Sequence, residues 1–538
     1  MGSVGACRQC AVKVFKDEQD TKGRLVMACM EAVKEDLHIS IQDGTAKAFR
    51  AQVIEWLMTN HPHDCAVCDE GGSCHLQDMT VMTGHAYRRF KYKKRTYNNQ
   101  YLGPFINHEM NRCIQCYRCV RFYKDYAGGK DLDVFAAHNH VYFGRANDGV
   151  LESEFSGNLA EVCPTGVFTD KTQKKHYTRK WDLTMAPSIC QHCSLGCNII
   201  GGERYGGLRQ ITNRYNGEVN GYFICDRGRF GYEFVNSVNR IKQPLIREMI
   251  PQAAEKPALY SYLANFLSGK MIGIGSPRAS LESNFALRQL VGQDNFFQGV
   301  SEEAAELMDT VLSVYNSGDV HIPSLKETES ADVVLVLGED LTNSAPMLAL
   351  AVRQAVRNTP LENADKINIP EWQDTARREI TQQDKGECII AYPVITRLDD
   401  VASQIHNLAP DDIARLGYAI ANLLDPLSPA VKDQDENELK LAGNIADILK
   451  KAKNPLVISG TSLFNSSVIK AAAGIAAALG NESKKAMLSL IVPECNSVGL
   501  AMMKAPSLKN ATGISGERHA DTLIILENDL YRNTDEKE

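Results

Sequence analysis

The spacing of the cysteines is the feature that most constrains this chain. Fourteen of its sixteen cysteines lie within residues 7–225, and eleven of these, with one histidine, sort into three four-ligand sets. The sets are His61, Cys65, Cys68 and Cys74 (the His61 set); Cys113, Cys116, Cys119 and Cys163 (the Cys113 set); and Cys190, Cys193, Cys197 and Cys225 (the Cys190 set). Closely spaced thiolates bind three corners of an iron–sulfur cubane, and a further ligand closes it. The pattern therefore predicts three [4Fe–4S] sites and a protein that carries electrons.

Structural zinc is the main alternative, because C-x2-C pairs are its common signature. Tetrahedral zinc uses two such pairs and leaves the third cysteine of C-x2-C-x2-C without a role. Cys163 is followed by Pro164, as in the closing C-P of ferredoxin-type sites. The spacing thus favours iron–sulfur clusters over zinc.

A fourth set of cysteines is incomplete. Cys7, Cys10 and Cys29 (the Cys7 set) have the spacing of the second, third and fourth ligands of a plant-type [2Fe–2S] loop. The first ligand of such a loop lies upstream, and residues 1–6 contain no cysteine. We therefore expect a [2Fe–2S] cluster here only if the missing ligand is supplied, and otherwise three buried or free thiols.

Composition and charge exclude several classes of protein. The net charge of −7 argues against nucleic acid as a partner. No stretch approaches the roughly 18 uninterrupted apolar residues of a membrane span. The chain opens on Met1-Gly2-Ser3-Val4, without the features of a signal peptide, so we expect a reducing compartment.

Two features of the first 240 residues lie outside the ligand sets. The basic run at 88–95 is predicted to be a solvated charged face, with a partner-binding face as the alternative. Residues 46–58 have helical spacing. The apolar residues predicted on one side of this helix are Phe49, Val53, Trp56 and Leu57.

After about residue 240 the pattern changes to alternating strands and helices, which predicts a parallel, doubly wound sheet. The predicted strands are 271–275, 333–337, 455–459, 486–492 and 522–526, and the predicted helices are 281–291, 345–357 and 468–479. Gly273-x-Gly275-x-x-Arg278 has arginine in place of the third glycine of a dinucleotide fingerprint, so we expect a plain strand-to-helix turn. Cys388 and Cys495 stand alone and are predicted to be structural thiols.

The succession of motifs resembles one family closely. Gly-x-Cys-Arg-x-Cys, His-x3-Cys-x2-Cys-x5-Cys, Cys-x2-Cys-x2-Cys with Cys-Pro, and Cys-x2-Cys-x3-Cys with a later Cys precede an α/β region. This order is similar to that of the G subunits, the large iron–sulfur subunits of respiratory NADH:quinone oxidoreductase (complex I). Flanking stretches such as Met110-Asn111-Arg112-Cys113 and Cys225-Asp226-Arg227-Gly228-Arg229 are specific to this family. The Cys190 set indicates a bacterial member, since mitochondrial relatives lack that cluster.

The resemblance implies that each four-ligand set holds one [4Fe–4S] cluster, with His61 rather than His63 as the histidine ligand. His63, His75 and His192 are expected at the surface or beside the clusters. The implied fold is multidomain, α+β followed by α/β. Its expected parts are a partial plant-type [2Fe–2S] domain (1–44), a histidine-plus-three-cysteine [4Fe–4S] domain (45–84), a ferredoxin-like [4Fe–4S] domain (85–182), a [4Fe–4S] domain of molybdopterin-oxidoreductase type (183–239), and an incomplete molybdopterin-oxidoreductase-like α/β domain (240–538).

The implied function is an electron relay without catalytic residues of its own, from an NADH/FMN module toward quinone. No molybdenum is expected. The implied partners are the other peripheral-arm subunits, including the NADH/FMN-binding subunit and the quinone-module iron–sulfur subunits. The implied location is peripheral, on the cytoplasmic side of the bacterial inner membrane. Members of the family extend beyond both ends of this sequence, so we expect a chain truncated at both ends.

Three other functions stay open. A molybdenum formate dehydrogenase would need a metal-ligating cysteine or selenocysteine in an active-site context that Cys388 and Cys495 do not provide. An iron-only hydrogenase would need a further cysteine set after Cys225. A zinc-stabilised assembly module would lack the visible absorption of thiolate-bound iron.

Overall fold

The computed structural model describes residues 4–247, 251–267, 269–370, 373–381, 384–480, 485–511 and 520–532. The first 240 residues form small sheets with short helices, and the later residues form parallel sheets flanked by longer helices. Within the ranges described, no helix is long and apolar enough to cross a membrane.

The chain begins with a three-stranded antiparallel sheet and a helix. Strands β1 (Ala11–Phe15), β2 (Arg24–Met27) and β3 (His38–Ser40) pair in the order β2-β1-β3, and helix α1 (Gly44–Met58) follows. Asp43 caps α1 by accepting hydrogen bonds from the backbone amides of Thr45 and Ala46. Arg50 donates to the carbonyl of Ala11 over 2.6 Å, which ties the helix to the sheet.

The buried face of α1 differs from the predicted one. Val53 and Ile54 are buried, whereas Trp56 is 58% exposed. Two residues correspond to about 200° of rotation around a helix, so a face that includes Ile54 leaves Trp56 on the opposite side. The prediction for Trp56 was therefore wrong. Ile54 and Met58 of α1, with the half-buried Leu57, pack in one cluster with Cys74, Leu76 and Ile114.

The next region wraps short elements around an aromatic core. Its elements are α2 (His75–Met82), β4 (Ile106–His108), α3 (Arg118–Val120), β5 (Asp133–Phe135), β6 (Tyr142–Gly144), α4 (Leu159–Val162), β7 (Phe168–Asp170) and α5 (Lys171–Lys174). Strand β4 pairs with β7, and β5 pairs with β6. The fully buried aromatic side chains here are Phe122, Tyr123, Phe143, Phe155 and Phe168. They pack in one cluster with Cys119 and Cys163.

A second antiparallel sheet follows. Strands β8 (Thr184–Ile189), β9 (Asn198–Arg204) and β10 (Gly207–Asn213) pair in the order β10-β9-β8, and the short helices α6 (Asp226–Phe230) and α7 (Glu233–Asn236) come after them. The hairpin of β11 (Leu245–Arg247) and β12 (Pro251–Ala253) leads into the α/β part. Cys190, Cys197 and Cys225 belong to the same buried cluster as Cys119 and Cys163. The two cysteine-rich regions thus share one core.

The α/β part contains two parallel sheets among its described residues. The elements are α8 (Lys256–Phe266), β13 (Met271–Ile274), α9 (Leu281–Val291), β14 (Phe296–Phe297), α10 (Glu302–Ser317), α11 (Leu325–Thr328), β15 (Val333–Leu337), α12 (Leu341–Ser344), α13 (Pro346–Lys366), α14 (Asp374–Thr381), β16 (Glu387–Ala391), β17 (Gln404–His406), α15 (Pro410–Leu424), α16 (Glu436–Lys451), β18 (Pro455–Gly460), α17 (Ser466–Leu479), β19 (Met487–Ile491), α18 (Ser497–Met502) and β20 (Thr522–Ile525). One sheet has the order β14-β13-β20 and the other β17-β16-β15-β18-β19. The strands predicted from the sequence are present, but they are distributed over two sheets instead of one. The apolar pattern marks a buried strand without specifying its neighbour, and β13 pairs with β20, about 250 residues downstream.

The larger sheet is covered by helices on both faces. Val333, Leu335 and Leu337 of β15 pack into one buried cluster, which includes residues of α10, α15, α16 and α17. Val334 and Val336 pack into another, which includes residues of α13. Successive strand residues point to opposite faces, so the continuous apolar run of β15 is what a doubly wound parallel sheet requires. Among the helices that the sequence analysis did not predict are α8, α10, α15 and α16.

Candidate metal centres

The His61 set surrounds one cavity of about 650 Å³. All four of its ligands line this cavity, together with Asp64 and Gly166. Helix α1 ends just before His61, and Cys74 is the N-cap residue of α2, so two helix ends fix the loop that carries the ligands. Burial raises the pKa of the Cys74 thiol to about 11, against the lowering effect of the backbone amides of Gln77 and Leu76. A bound metal has to displace the proton from such a thiol.

The two histidines at this cavity differ in environment. His61 is 8% exposed, and its Nδ1 is buried without a hydrogen-bond partner in the described part of the chain. Burial lowers the pKa of His61 to about 4, while the Asp64 carboxylate raises it, so the imidazole is neutral at neutral pH, as a metal ligand must be. His63 is exposed, and its Nδ1 lies 3.1 Å from Nζ of Lys94. A buried imidazole nitrogen without a hydrogen-bond partner among the described residues is suited to bind a metal.

The Cys113 set lies at the edge of the aromatic core, where Cys119 and Cys163 are buried, Cys113 packs against the core and Cys116 packs against the neighbouring cluster of Ile54 and Leu76. The pKa of Cys119 is raised well above its usual value by burial and by the neighbouring thiols Cys113, Cys163 and Cys116. Gln115 and Tyr117 adopt left-handed backbone conformations, with φ of 55° and 64°, which curl the chain around the thiols. The Gln115 amide donates to Sγ of Cys113 over 3.3 Å. Such N–H···S bonds are typical of cluster-binding loops.

The Cys190 set is the most uniformly buried of the three. Cys190, Cys193, Cys197 and Cys225 are each at most 7% exposed. Cys190 and Cys197 flank the turn between β8 and β9, and the amide of Cys190 donates to the carbonyl of Cys197 over 2.9 Å. Burial raises the pKa of Cys225 to about 12, and the Gly228 amide, which donates to its sulfur, opposes this rise. A Cβ at Gly228 would stand 3.3 Å from Sγ of Cys190, so glycine allows the helix α6 to approach the thiols.

The three thiols of the Cys7 set also meet. Cys7, Cys10 and Cys29 line a cavity of about 240 Å³. Burial and a hydrogen bond with Cys10 raise the pKa of Cys29. Cys116 of the Cys113 set and His75 line the same cavity. The incomplete set therefore lies directly beside a complete one.

The His61 set and the Cys113 set are adjacent as well. Sγ of Cys74 lies 3.8 Å from the carbonyl oxygen of Pro164, the residue after Cys163. Arg112, the residue before Cys113, pairs with Asp64 over 2.7 Å and donates to the carbonyl of Gly166 over 3.4 Å. These contacts hold the two ligand loops against each other.

The single-ion geometry of zinc is not found in the part of the chain that the structure describes. Among these residues no three histidine, cysteine, aspartate or glutamate side chains converge as the ligands of one metal ion. A four-iron cubane holds its ligands farther apart than one ion does, because each ligand binds a different iron. None of the sixteen cysteines forms a disulfide.

Comparisons with known proteins place each complete set in a recognised region. Residues 50–89 match the NADH-ubiquinone oxidoreductase-G iron-sulfur binding region. Residues 103–169 match the ferredoxin-like domain of NADH-quinone oxidoreductase subunit 3, and residues 183–237 match the molybdopterin oxidoreductase Fe4S4 domain. The three regions contain the His61, Cys113 and Cys190 sets in that order. The chain thus combines iron–sulfur regions of ferredoxin-like and molybdopterin-oxidoreductase type.

Curated relatives match nearly the whole chain. The NADH-quinone oxidoreductase G subunit of Pseudomonas fluorescens is 55% identical over 540 residues. The G subunits of Salmonella typhimurium strain LT2 and Escherichia coli K12 are each 54% identical, over 536 and 537 residues. Each alignment covers 99% of this chain and 59% of the relative. Over nearly its whole length, this chain is similar to the G subunits of NADH-quinone oxidoreductases.

The chain spans 59% of the length of the G-subunit relatives it matches. A solved structure of NAD+-reducing [NiFe]-hydrogenase in the H2-reduced state aligns with 32% of this chain and 71% of that one. The TM-score of this alignment is 0.28 and the identity is 24%.

Three cations around the His61 set were missed by the sequence reasoning. They are Lys94, Arg112 and Arg179, whose contacts join segments that are far apart in the sequence. Lys94 belongs to the basic run that was predicted to be solvated, yet it is half-buried. The adjacent glycines Gly71 and Gly72 between Cys68 and Cys74 are the signal that could have pointed to a close neighbour of the ligand loop.

Proposed function

We propose that this chain is an iron–sulfur electron-transfer subunit of a proton-translocating NADH:quinone oxidoreductase, relaying electrons from an NADH/FMN module toward quinone. The observation that carries the proposal is the contact between two complete ligand sets, through Cys74 and Pro164. The names of the relatives support it. Burial of eight of the eleven thiols supports it too, because clusters that exchange electrons inside a protein are held away from solvent; Cys113 and Cys116 are half-buried and Cys65 is exposed.

We assign one [4Fe–4S] cluster to each complete set, which when bound supplies one-electron chemistry. The ligands are His61, Cys65, Cys68 and Cys74; Cys113, Cys116, Cys119 and Cys163; and Cys190, Cys193, Cys197 and Cys225. Cys7, Cys10 and Cys29 supply three of the four ligands of a [2Fe–2S] cluster. No residue of this chain is proposed to be catalytic. We expect no molybdenum, because Cys388 is enclosed in the sheet core and the Cys495 thiol is hydrogen-bonded, in the described part of the chain, to the carbonyls of Pro277 and Arg278 and to the Asn496 amide.

The contacts suggest an order for the relay. The Cys7 set shares its cavity with Cys116, so electrons arriving there have the Cys113 set as a neighbour. The contact of Pro164 with Cys74 then joins the Cys113 set to the His61 set. The Cys190 set lies in the same core as the Cys113 set. Lys94, Arg112 and Arg179 hold the His61 loop in place while its charge changes.

We propose the domain division given by the ligand sets: 1–44, 45–84, 85–182, 183–239 and 240–538. The separate sheets of the N-terminal segment, of β8–β10 and of the α/β part support this division. The last domain is proposed to have the molybdopterin-oxidoreductase-like fold. Its five-stranded parallel sheet with helices on both faces is consistent with that fold.

Hydride chemistry is assigned to a partner subunit. A Cβ at Gly275 would stand 2.5 Å from Oδ1 of Asn284 and 2.8 Å from Phe296, so the turn after β13 is filled by side chains of this chain. This supports an interpretation of the turn as structural. We propose that the partners are the NADH/FMN-binding subunit, the quinone-module iron–sulfur subunits and other peripheral-arm subunits, and that the chain acts peripherally on the cytoplasmic side of the bacterial inner membrane.

Metal analysis with spectroscopy tests the proposed function. The chain is purified anaerobically, its iron, zinc and molybdenum are measured together, and electron paramagnetic resonance (EPR) spectra are recorded after reduction by dithionite. Three reducible [4Fe–4S] signals are expected. Stoichiometric zinc without iron would contradict the proposal in favour of an assembly module, and stoichiometric molybdenum would favour formate dehydrogenase.

A further inference from the structure

Arg179 holds the cysteine loop of the His61 set from a segment about 110 residues downstream. Its guanidinium donates to the carbonyl of Cys68, to the carbonyl of Ala66 over 2.6 Å and to the carbonyl of Cys65 over 3.4 Å. The Tyr177 hydroxyl donates to the Ala66 carbonyl over 2.8 Å. A planar guanidinium can serve several acceptors at fixed angles, so this side chain fixes the path of the loop between the first two cysteine ligands.

The loop is built for this close approach. A Cβ at Gly71 would collide with the Arg179 guanidinium, and a Cβ at Gly72 would collide with the ring of Trp181. Gly72 also has a φ of 93°, a conformation that favours glycine. Both glycines lie between Cys68 and Cys74, so the segment that carries Arg179 and Trp181 packs directly on the ligand loop.

Lys94 contacts the histidine side of the same set. Its ammonium group donates to the carbonyl of His61 and to the carbonyl of Met58 over 3.3 Å, and it lies 3.1 Å from Nδ1 of His63. The ammonium group thus donates to two backbone carbonyls and lies beside one imidazole nitrogen just after the end of α1. Lys94 thus fixes the backbone of His61, as Arg179 fixes the backbone of the loop from Cys65 to Cys68.

We propose that Arg179 and Lys94 are positioning residues of the His61 set and form a two-cation clamp that raises the reduction potential of the cluster held there. Reduction adds one electron and therefore one negative charge, which fixed positive charges stabilise. Because these cations contact the ligand backbone, their positions are set before the charge changes. The inference rests on the proposed function, since it needs a cluster at the His61 set.

The test measures the midpoint potential of the histidine-ligated cluster in the full chain, by dithionite titration followed with EPR. Arg179→Met removes the charge and the donors but keeps the apolar stem. We expect, at a fixed potential, about a tenfold smaller ratio of reduced to oxidised cluster, which is about 59 mV for a one-electron couple. Arg179→Lys restores the positive charge without the planar set of N–H donors of a guanidinium. It should therefore recover most of the midpoint potential while altering the EPR line shape. Lys175→Met, at an exposed lysine of the same segment, is the control and should leave both unchanged.

Lys94→Met tests the other half of the clamp, with Lys93→Met at its exposed neighbour as the control. We expect the same direction of shift for Lys94→Met and none for Lys93→Met. Wild-type potential and line shape in both Arg179→Met and Lys94→Met would overturn the proposal. If both Arg179 variants lose the cluster, the midpoint potential of the Lys94→Met variant tests the proposal. A midpoint potential equal to that of the unmodified chain then overturns it. A wild-type chain without the cluster would instead contradict the proposed function.

Discussion

The thiol of Cys74 lies 3.8 Å from the carbonyl oxygen of Pro164. This contact joins Cys74, the last residue of the His61 set, to the residue that follows Cys163, the last residue of the Cys113 set. Gly166, two residues later, lies so close that a Cβ there would stand 2.6 Å from Sγ of Cys68. The backbone of one loop therefore packs against cysteine sulfurs of the other.

Arg112→Met should weaken this junction. Arg112 is 6% exposed and pairs with Asp64 over 2.7 Å, so its loss leaves the carboxylate without its buried partner. Breaking a buried pair costs about 3–5 kcal/mol, and the partial exposure of Asp64 reduces this to about 2–3 kcal/mol. Denaturant unfolding of the reconstituted chain measures the loss. Arg118→Met, at an exposed arginine, should change the free energy of unfolding by less than about 0.5 kcal/mol.

His61→Ala should perturb the spectrum of one [4Fe–4S] centre, and His63→Ala should leave it intact. Nδ1 of His61 is buried at the cavity and has no hydrogen-bond partner among the described residues, whereas His63 is exposed and contacts Lys94. EPR spectra of the reduced variants separate the two. The reverse result would make His63 the ligand.

The chain should reconstitute to about twelve irons, as three [4Fe–4S] centres, with no stable [2Fe–2S] signal. Three thiolates leave one corner of a [2Fe–2S] core open, and Cys29 is exposed to competing thiols. Cys225→Ser should lower the content to about eight irons and remove one signal, while the other two remain. A full-occupancy all-thiolate [2Fe–2S] spectrum in the unmodified chain would contradict the expected lability of the Cys7 set.

Glu339→Gln should reduce the pH dependence of stability. Burial raises the pKa of Glu339, although Ser462 hydrogen bonds, through its amide at 3.0 Å and its hydroxyl at 2.6 Å, oppose the rise. A carboxyl whose pKa is higher in the folded state binds more protons there. Its contribution to stability is therefore present below the unfolded pKa and is lost as pH rises toward the folded pKa. Unfolding free energies at pH 5 and pH 7 should differ less in the variant than in the unmodified chain. Glu362→Gln, at an exposed glutamate, should keep the original difference.

Leu335→Ala should destabilise the α/β part by about 2–5 kcal/mol, because it leaves a cavity at a fully buried position of the central strand β15. The unfolding transition followed by circular dichroism measures the change. Leu427→Ala, at a leucine that is 93% exposed, is the matched control and should cost less than about 0.5 kcal/mol. Similar losses in both variants would show that burial at β15 is not the cause.

The sequence by itself predicted the candidate ligand sets and determined the strands, because both patterns are local. Candidate metal ligands are recognised by residue type and spacing, as in Cys113, Cys116 and Cys119, and a buried parallel strand is an uninterrupted apolar run, as in β15. Flanking motifs then indicated the family that the chain resembles. Local pattern was less reliable on α1, where Trp56 lies on the exposed side.

Only the tertiary structure decided which distant segments meet. It paired β13 with β20, seated Pro164 on Cys74 and brought Arg179 to the carbonyls of the Cys65–Cys68 loop. These contacts depend on backbone groups, which all residue types share, so apart from the glycines Gly71 and Gly72 the residue types do not indicate the partner. A carbonyl oxygen that accepts a hydrogen bond from an arginine about 110 residues away becomes visible only once the chain has folded.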